Sequence, residues 1–259
     1  MLLIRLTVVL GLALLLPLSL RAAGPVIAAA SDLKFALDDI ASAFAADSGH
    51  QVRLTYGSSG LMATQIRNGA PFQLFLSADE DYVLQLHADG FTRDEGALYA
   101  AGRLALVVPR NSSVPVSGDL GGLGAALRAG QVRRFAIANP EHAPYGARAR
   151  EALEHAGLWE LVLPRLVYGE NVSQAAQFAT GGSTEGGIIA LSLTLSPELA
   201  GVADHALIPA SYHAPLLQRM VLLNNAGATA EAFYAYLQQP AARTVMRRYG
   251  FALPAAEPL

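Results

Sequence analysis

The sequence predicts an α/β protein of two similar lobes with a cleft between them. Three observations lead there. Apolar runs of strand length alternate with helix-spaced apolar patterns, as in the β-α units that build parallel sheets with helices on both faces. The joins from strand to helix are polar and carry Ser, Gly, Asn or Pro. This order breaks in a Ser-, Gly- and Pro-rich stretch over 111–124 and then begins again, as at a boundary.

The stretch 26–62 sets the pattern. Residues 26–30 (VIAAA) have strand length and stop at Ser31 and Asp32. Leu33, Ala36, Leu37, Ile40 and Phe44 then recur at helical spacing and form one buried stripe. Ser31 stands where an N-cap belongs, and Gly49 closes the helix as a C-cap glycine does. A second strand over 51–56 leads into Gly57, Ser58, Ser59 and Gly60, and a short helix follows over 61–68, closed by Gly69 and Pro71. In a parallel sheet both serine-tipped turns lie at the carboxyl ends of the strands, the edge where open α/β sheets bind ligands. Free backbone N–H groups at two helix starts, with serine hydroxyls beside them, make an anion site without a cationic side chain. The plain alternative is that these serines only cap their helices.

The remaining elements follow in order. Residues 72–76 read as a strand, 80–87 as a helix and 104–108 as a strand ending at Pro109. Beyond the boundary, 123–129 reads as a helix and 133–138 as a strand that ends in the loop NPEHAPYG (139–146). A helix over 147–156 has an alanine and leucine stripe. A strand over 165–168 turns through GENVS (169–173) into a helix reaching Phe178. After a loop over 181–187 come strands at 187–191 and 216–223, then helices at 229–238 and 241–249, the last with Pro240 at its first position.

Composition narrows the chemistry. With 259 residues, 53% hydrophobic and 15% charged, the chain folds as one large or two modest domains. Residues 1–5 form a short basic start, 6–20 an apolar run, and Arg21, Ala22 and Ala23 a small-residue site, so 1–23 reads as a secretory signal peptide. A membrane anchor is the alternative, but the run falls short of the ~20 apolar residues of a span. Its removal takes away Arg5 and Arg21 and no acid, which moves the formal charge from −3 to −5. An acidic protein gains no long-range attraction for anions or nucleic acid, so an anion site here works through local dipoles. The absence of cysteine excludes disulfides, thiolate metal sites, cysteine nucleophiles and an N-terminal lipidated cysteine. Lys34, the single lysine, lies outside any Gly-rich loop, so there is no Walker-type phosphate loop.

Other chemistries find little support. GSSG (57–60) is one residue too short for the G-x-S-x-G elbow of a serine hydrolase, and no His or acid partner can be assigned. His50, His87, His142, His155, His205 and His213 show no metal-ligand spacing. His142 either orients its loop near the cleft or is a structural loop residue. Asp79 and Glu170 fall near turns at the cleft and are assigned to capping or interlobe bonds, because a carboxylate aimed at a dianion repels it. Trp159 is expected in the core.

Taken together, AAASDL (28–33), YGSSGLMATQIRNGAP (56–71), LFLSAD (74–79), NPEHAPYG (139–146), GENVSQA (169–175) and RRYGF (247–251) resemble the periplasmic molybdate-binding proteins of ABC transporters, over essentially the whole mature chain. The resemblance implies a type II periplasmic-binding-protein fold, each lobe a mostly parallel sheet flanked by helices. Lobe I is 24–105 plus 222–259 and lobe II is 106–221, with crossings near 104–108 and 221–224. It implies capture of molybdate or tungstate for a membrane permease by a monomeric periplasmic protein that is not an enzyme and needs no cofactor, nucleic acid or direct metal ligand. Ser31 and Ser59 would give hydroxyl and N–H donors, and Tyr145 and Val172 backbone N–H groups. A tyrosine that some members carry just after the strand at 187–189 is replaced here by Ala190; Ser58, Ser192 or a backbone group then supplies the fifth donor. The same fold also serves carriers of sulfate, thiosulfate, phosphate and iron, though the paired tyrosines of iron carriers are absent.

Overall fold

A computed structural model of the chain describes residues 24–253; the expected signal peptide, 1–23, lies outside the described residues. The first part of the chain alternates strictly: β1 (Val26–Ala30), α1 (Lys34–Ser48), β2 (Arg53–Gly57), α2 (Ser59–Arg67), β3 (Phe72–Ser77) and α3 (Glu80–Ala88). Two consecutive strands follow, β4 (Ala97–Gly102) and β5 (Leu104–Pro109). The second series is α4 (Gly121–Arg128), β6 (Phe135–Ala138), α5 (Pro144–His155), α6 (Trp159–Val162), β7 (Leu166–Gly169), α7 (Val172–Thr180), β8 (Gly187–Ala190), α8 (Leu191–Thr194) and β9 (Ala203–Leu207). The chain ends with β10 (Leu216–Leu222), α9 (Ala228–Leu237) and α10 (Pro240–Arg248).

These strands make two five-stranded sheets, ordered β2-β1-β3-β10-β4 and β7-β6-β8-β5-β9. Each is mixed rather than mostly parallel. β1 runs parallel to β2 and β3, and β6 to β7 and β8, whereas β10 and β5 are antiparallel to both their neighbours. The reversed strands adjoin the passages between sheets, which run through Arg103 and through the segment between β9 and β10. The second passage thus precedes β10 instead of following it, so 216–221 lie in the first sheet, while Leu104 and Ala105 lie in the second.

The period of two in β1 explains how the first sheet is covered on both faces. Ile27 and Ala29 meet Leu33, Leu37 and Phe44 of the α1 side together with Phe233 of α9 and Met246 of α10. Ala28 points the other way, to Met62 of α2 and Val83 and Leu86 of α3. The second sheet has its own core, centred on Phe135, Ile137, Leu106 and Ile188. Trp159 is only partly buried against that core, beneath the guanidinium of Arg150.

The strands with no clear sequence signal are the edge strands β4 (ALYAAG) and β9 (ADHAL). Edge strands pair on one side only, so small and charged residues suffice there. α6 and α8 are single turns, too short for a 3.6-residue period to register. α8 also ends β8 at Ala190, one residue before the expected end.

Candidate functional site

The helix starts that follow β1 and β2 meet the starts of α5 and α7 across the gap between the sheets. They enclose a cavity of about 180 Å³, counting its open mouth. Ser31, Asp32, Ser58 and Ser59 line it from the first lobe, and Ala143, Tyr145 and Val172 from the second. No lining residue is a lysine, arginine or histidine.

Ser31 does not cap α1 with its side chain. It opens a 3-10 turn, Ser31–Leu33, that precedes the helix. Its hydroxyl oxygen instead accepts the Ser173 N–H (3.3 Å), and the Ser173 hydroxyl donates to the Ser31 carbonyl (2.8 Å). Ser59, fully buried, is the first residue of α2, and its hydroxyl oxygen accepts the Ala78 N–H (2.9 Å). Both oxygens thus accept a backbone N–H, and each hydroxyl proton remains available to a further acceptor.

First-turn N–H groups of a helix have no partner within the helix. Several here are already engaged: Gly60 N–H donates to the His142 carbonyl, Ser173 N–H to Ser31 and Gln174 N–H to the Asn171 side chain. The N–H groups of Ser59, Tyr145 and Val172 sit at the first turns of α2, α5 and α7, beside the cavity. Two hydroxyls and three helix-start N–H groups form a set of neutral donors suited to an anion and drawn from both lobes.

The remaining candidates serve other purposes. Ser58 lines the cavity, but its hydroxyl bonds to His142 Nδ1 across the gap (2.9 Å). His142 therefore orients its loop against the first lobe through two bonds, one from the side chain and one to the carbonyl. Ser192 donates to the Asp32 carbonyl (2.7 Å) and lies outside the lining, where it supports the 3-10 turn. Ala190 is fully buried, pairs with Leu104 in the second sheet, and also lies outside the lining. Asp79 caps α3 by accepting the Asp81 N–H and reaches Arg148 of the other lobe (3.3 Å). The Glu170 backbone N–H bonds to Gln174, and the residue itself is exposed. Among the described residues no cluster of His, Cys, Asp or Glu is arranged to hold a metal.

Asp32 is the residue the motifs did not bring forward. It is 1% exposed, and its Oδ2 accepts from Tyr145 Oη (2.9 Å) and Gln218 Nε2 (2.6 Å). Tyr99 Oη donates to Gln218 Oε1 (2.8 Å), which extends the network to β4. Oδ1 has no partner among the described residues. Burial pushes the Asp32 carboxyl up to about 6, against the opposing pull of the bonds from Gln218, Tyr145 and the backbone. The same burial, with Asp32 alongside, pushes the Tyr145 and Tyr99 phenols well up. An acid in the first turn after a strand reads as an ordinary helix-start carboxylate, which hides this role.

Two α/β lobes with a small donor-lined cavity between them define a solute-binding protein of the two-lobed kind. Residues 25–252 match the family model described as bacterial extracellular solute-binding protein. The chain is 36% identical over 252 residues to the molybdate-binding protein ModA of Azotobacter vinelandii, spanning 96% of this chain and 97% of that protein. It is 35% identical over 246 residues to ModA of Rhodobacter capsulatus, spanning 93% and 94%. The solved periplasmic molybdate-binding protein of Azotobacter vinelandii superposes with a TM-score of 0.81 at 30% identity, over 89% of this chain and all of that one. The chain belongs to the ModA family of extracellular solute-binding proteins.

Proposed function

We propose that the protein captures molybdate, and tungstate with it, in the cleft and delivers it in the periplasm to the permease of an ABC transporter. One observation carries the reading: Ser31, Ser59, Tyr145 and Val172, all at helix starts, line one cavity from the two sheets, and no lining residue is cationic. A buried dianion must have its lost hydration replaced by aimed donors. Charge-assisted bonds contribute about 1.5–3 kcal/mol each, so four or five offset the cost of closure and ordering and leave tight binding. Neutral donors also suit a carrier that must release its cargo.

In this reading the lobes follow the sheets, with β1–β4 and β10 in lobe I and β5–β9 in lobe II, and the monomer acts as a carrier rather than an enzyme, without a cofactor. The names of its relatives and their likeness over nearly the full length support it. The test is calorimetry of the mature protein against molybdate, tungstate and sulfate in parallel. Molybdate and tungstate are expected to bind far more tightly than sulfate. Sulfate binding at least as tight as molybdate overturns the assignment in favour of another oxyanion on the same fold.

A further inference from the structure

We infer that Asp32 takes up one proton when the cleft closes on its anion, and that the neutral acid presents Oδ1–H as an additional donor in the anion's shell. This rests on the oxyanion reading of the cleft. Asp32 lines the cavity itself, and of its two oxygens only Oδ2 is occupied, by Tyr145 and Gln218. Among the described residues Oδ1 is buried and has no partner at full hydrogen-bond geometry. Beside a dianion, an ionised and unpartnered oxygen is doubly unfavourable: it is desolvated and it faces like charge. One proton on Oδ1 removes the charge and supplies the missing donor.

The bonds from Gln218, Tyr145 and the backbone pull against the uptake, but burial outweighs them, and no lysine or arginine lines the cavity. From α5 it meets the phenol of Tyr145, from β10 the neutral amide of Gln218, and through that amide the phenol of Tyr99 on β4. α8 contributes the Ser192 hydroxyl to its carbonyl, and α7 contributes Ser173 to the adjacent Ser31. On α1, Lys34 is turned outward to Asp38. On the facing loop, His142 is bonded to Ser58, and next to the lining residue Ala78, Asp79 pairs with Arg148. In this structure burial holds the carboxyl at about 6, and a dianion beside it raises it further. The proton comes from solvent and bonds to Oδ1; no other bond breaks, and the anion keeps its charge.

The experiment is titration calorimetry with sodium molybdate at pH 7.5 in buffers of different ionisation enthalpy, repeated from pH 5.5 to 8. The wild type is expected to take up close to one proton per anion at pH 7.5. Its affinity should weaken by up to tenfold per unit as pH rises above about 6, with little uptake well below that pH. Asp32→Asn places an N–H where Oδ1–H would be and keeps an acceptor for Tyr145 and Gln218, so it is expected to bind with no uptake and no slope. Tight molybdate binding by the wild type with no proton uptake overturns the inference. So does an unchanged slope in Asp32→Asn, and His142→Gln then tells whether the imidazole is the source. The wild-type proton count decides the matter even if the variant folds poorly. A wild type that binds no molybdate at any pH fails earlier, at the oxyanion reading itself.

Discussion

Ser59→Ala separates two roles that one hydroxyl performs. The oxygen accepts the Ala78 N–H at 2.9 Å, and the proton is left for the anion. Alanine keeps the backbone N–H, the helix start and the buried position, so only the hydroxyl changes. In the free protein the substitution leaves a buried N–H without an acceptor, which costs about 1–3 kcal/mol. For a chain of this size that lowers the melting temperature by roughly 2–10 °C. In the complex it also removes one charge-assisted donor, worth about 1.5–3 kcal/mol, so molybdate affinity falls by roughly ten- to a hundredfold. Calorimetry and thermal melting on the same samples read the two effects independently. Ser58→Ala is the control: it breaks the link to His142 but removes no donor assigned to the anion, and it should weaken binding less. A lowered melting temperature with unchanged affinity would show that the Ser59 hydroxyl serves only Ala78, and the site assignment would fail.

Three further outcomes follow from the geometry. In Gly60→Ala the new Cβ would lie 2.7 Å from the His142 carbonyl oxygen and 3.0 Å from Tyr82 Oη, so closure is obstructed; affinity should drop at least tenfold with far-UV circular dichroism unchanged, and wild-type affinity would mean that the lobes need not approach this closely. Ala190→Tyr forces a phenol into a fully buried position of the second core; it should cost about 1–3 kcal/mol of stability on denaturant unfolding without improving binding, and a hundredfold gain in molybdate affinity would refute that placement. The Asp32 carboxyl, at about 6 when folded against 3.8 ordinarily, holds its proton to higher pH in the folded chain than in the unfolded one. Anion-free stability therefore falls as pH rises between these values, by up to about 3 kcal/mol; the stability difference between Asp32→Asn and wild type should grow in the variant's favour across that window, and a constant difference in urea melts would count against it.

How far the site was legible depended on how local its causes are. Ser31, Ser59, Tyr145 and Val172 each stand at the first turn after a strand or loop, and turn chemistry is written in a few adjacent residues. Their convergence follows once the strands are read as neighbours in sheets. The role of Asp32 could not be read this way. It depends on Tyr145 and Gln218, 113 and 186 residues further along, and on burial that no local pattern encodes. Ser192 shows the converse: a serine in a suitable turn looks like a donor to the anion, yet its hydroxyl is taken by the Asp32 carbonyl. The sheet that β10 joins is hidden for a similar reason: in chain order it follows the second series, and its antiparallel pairing with β3 and β4 places it in the first sheet.

The bonds that join the lobes suggest why a weakly polar cleft can act as a ligand-driven clamp. His142 meets Ser58 and Gly60, Ser173 exchanges bonds with Ser31, and Arg148 reaches Asp79. When the lobes part, most of these groups regain water, so each bond contributes only about 0.5–1.5 kcal/mol in net terms. A few such bonds offset little more than the freedom lost on closing, which keeps the open and closed forms close in energy. In the proposed site the anion would shift that balance, because the donors assigned to it are split between Ser31 and Ser59 on one side and Tyr145 and Val172 on the other, so an open form offers only part of the set. A site with fixed cationic side chains would hold the dianion strongly in either form and bias the lobes less. Neutral donors placed on both sides make affinity depend on closure, and closure is also what buries Asp32 against Tyr145.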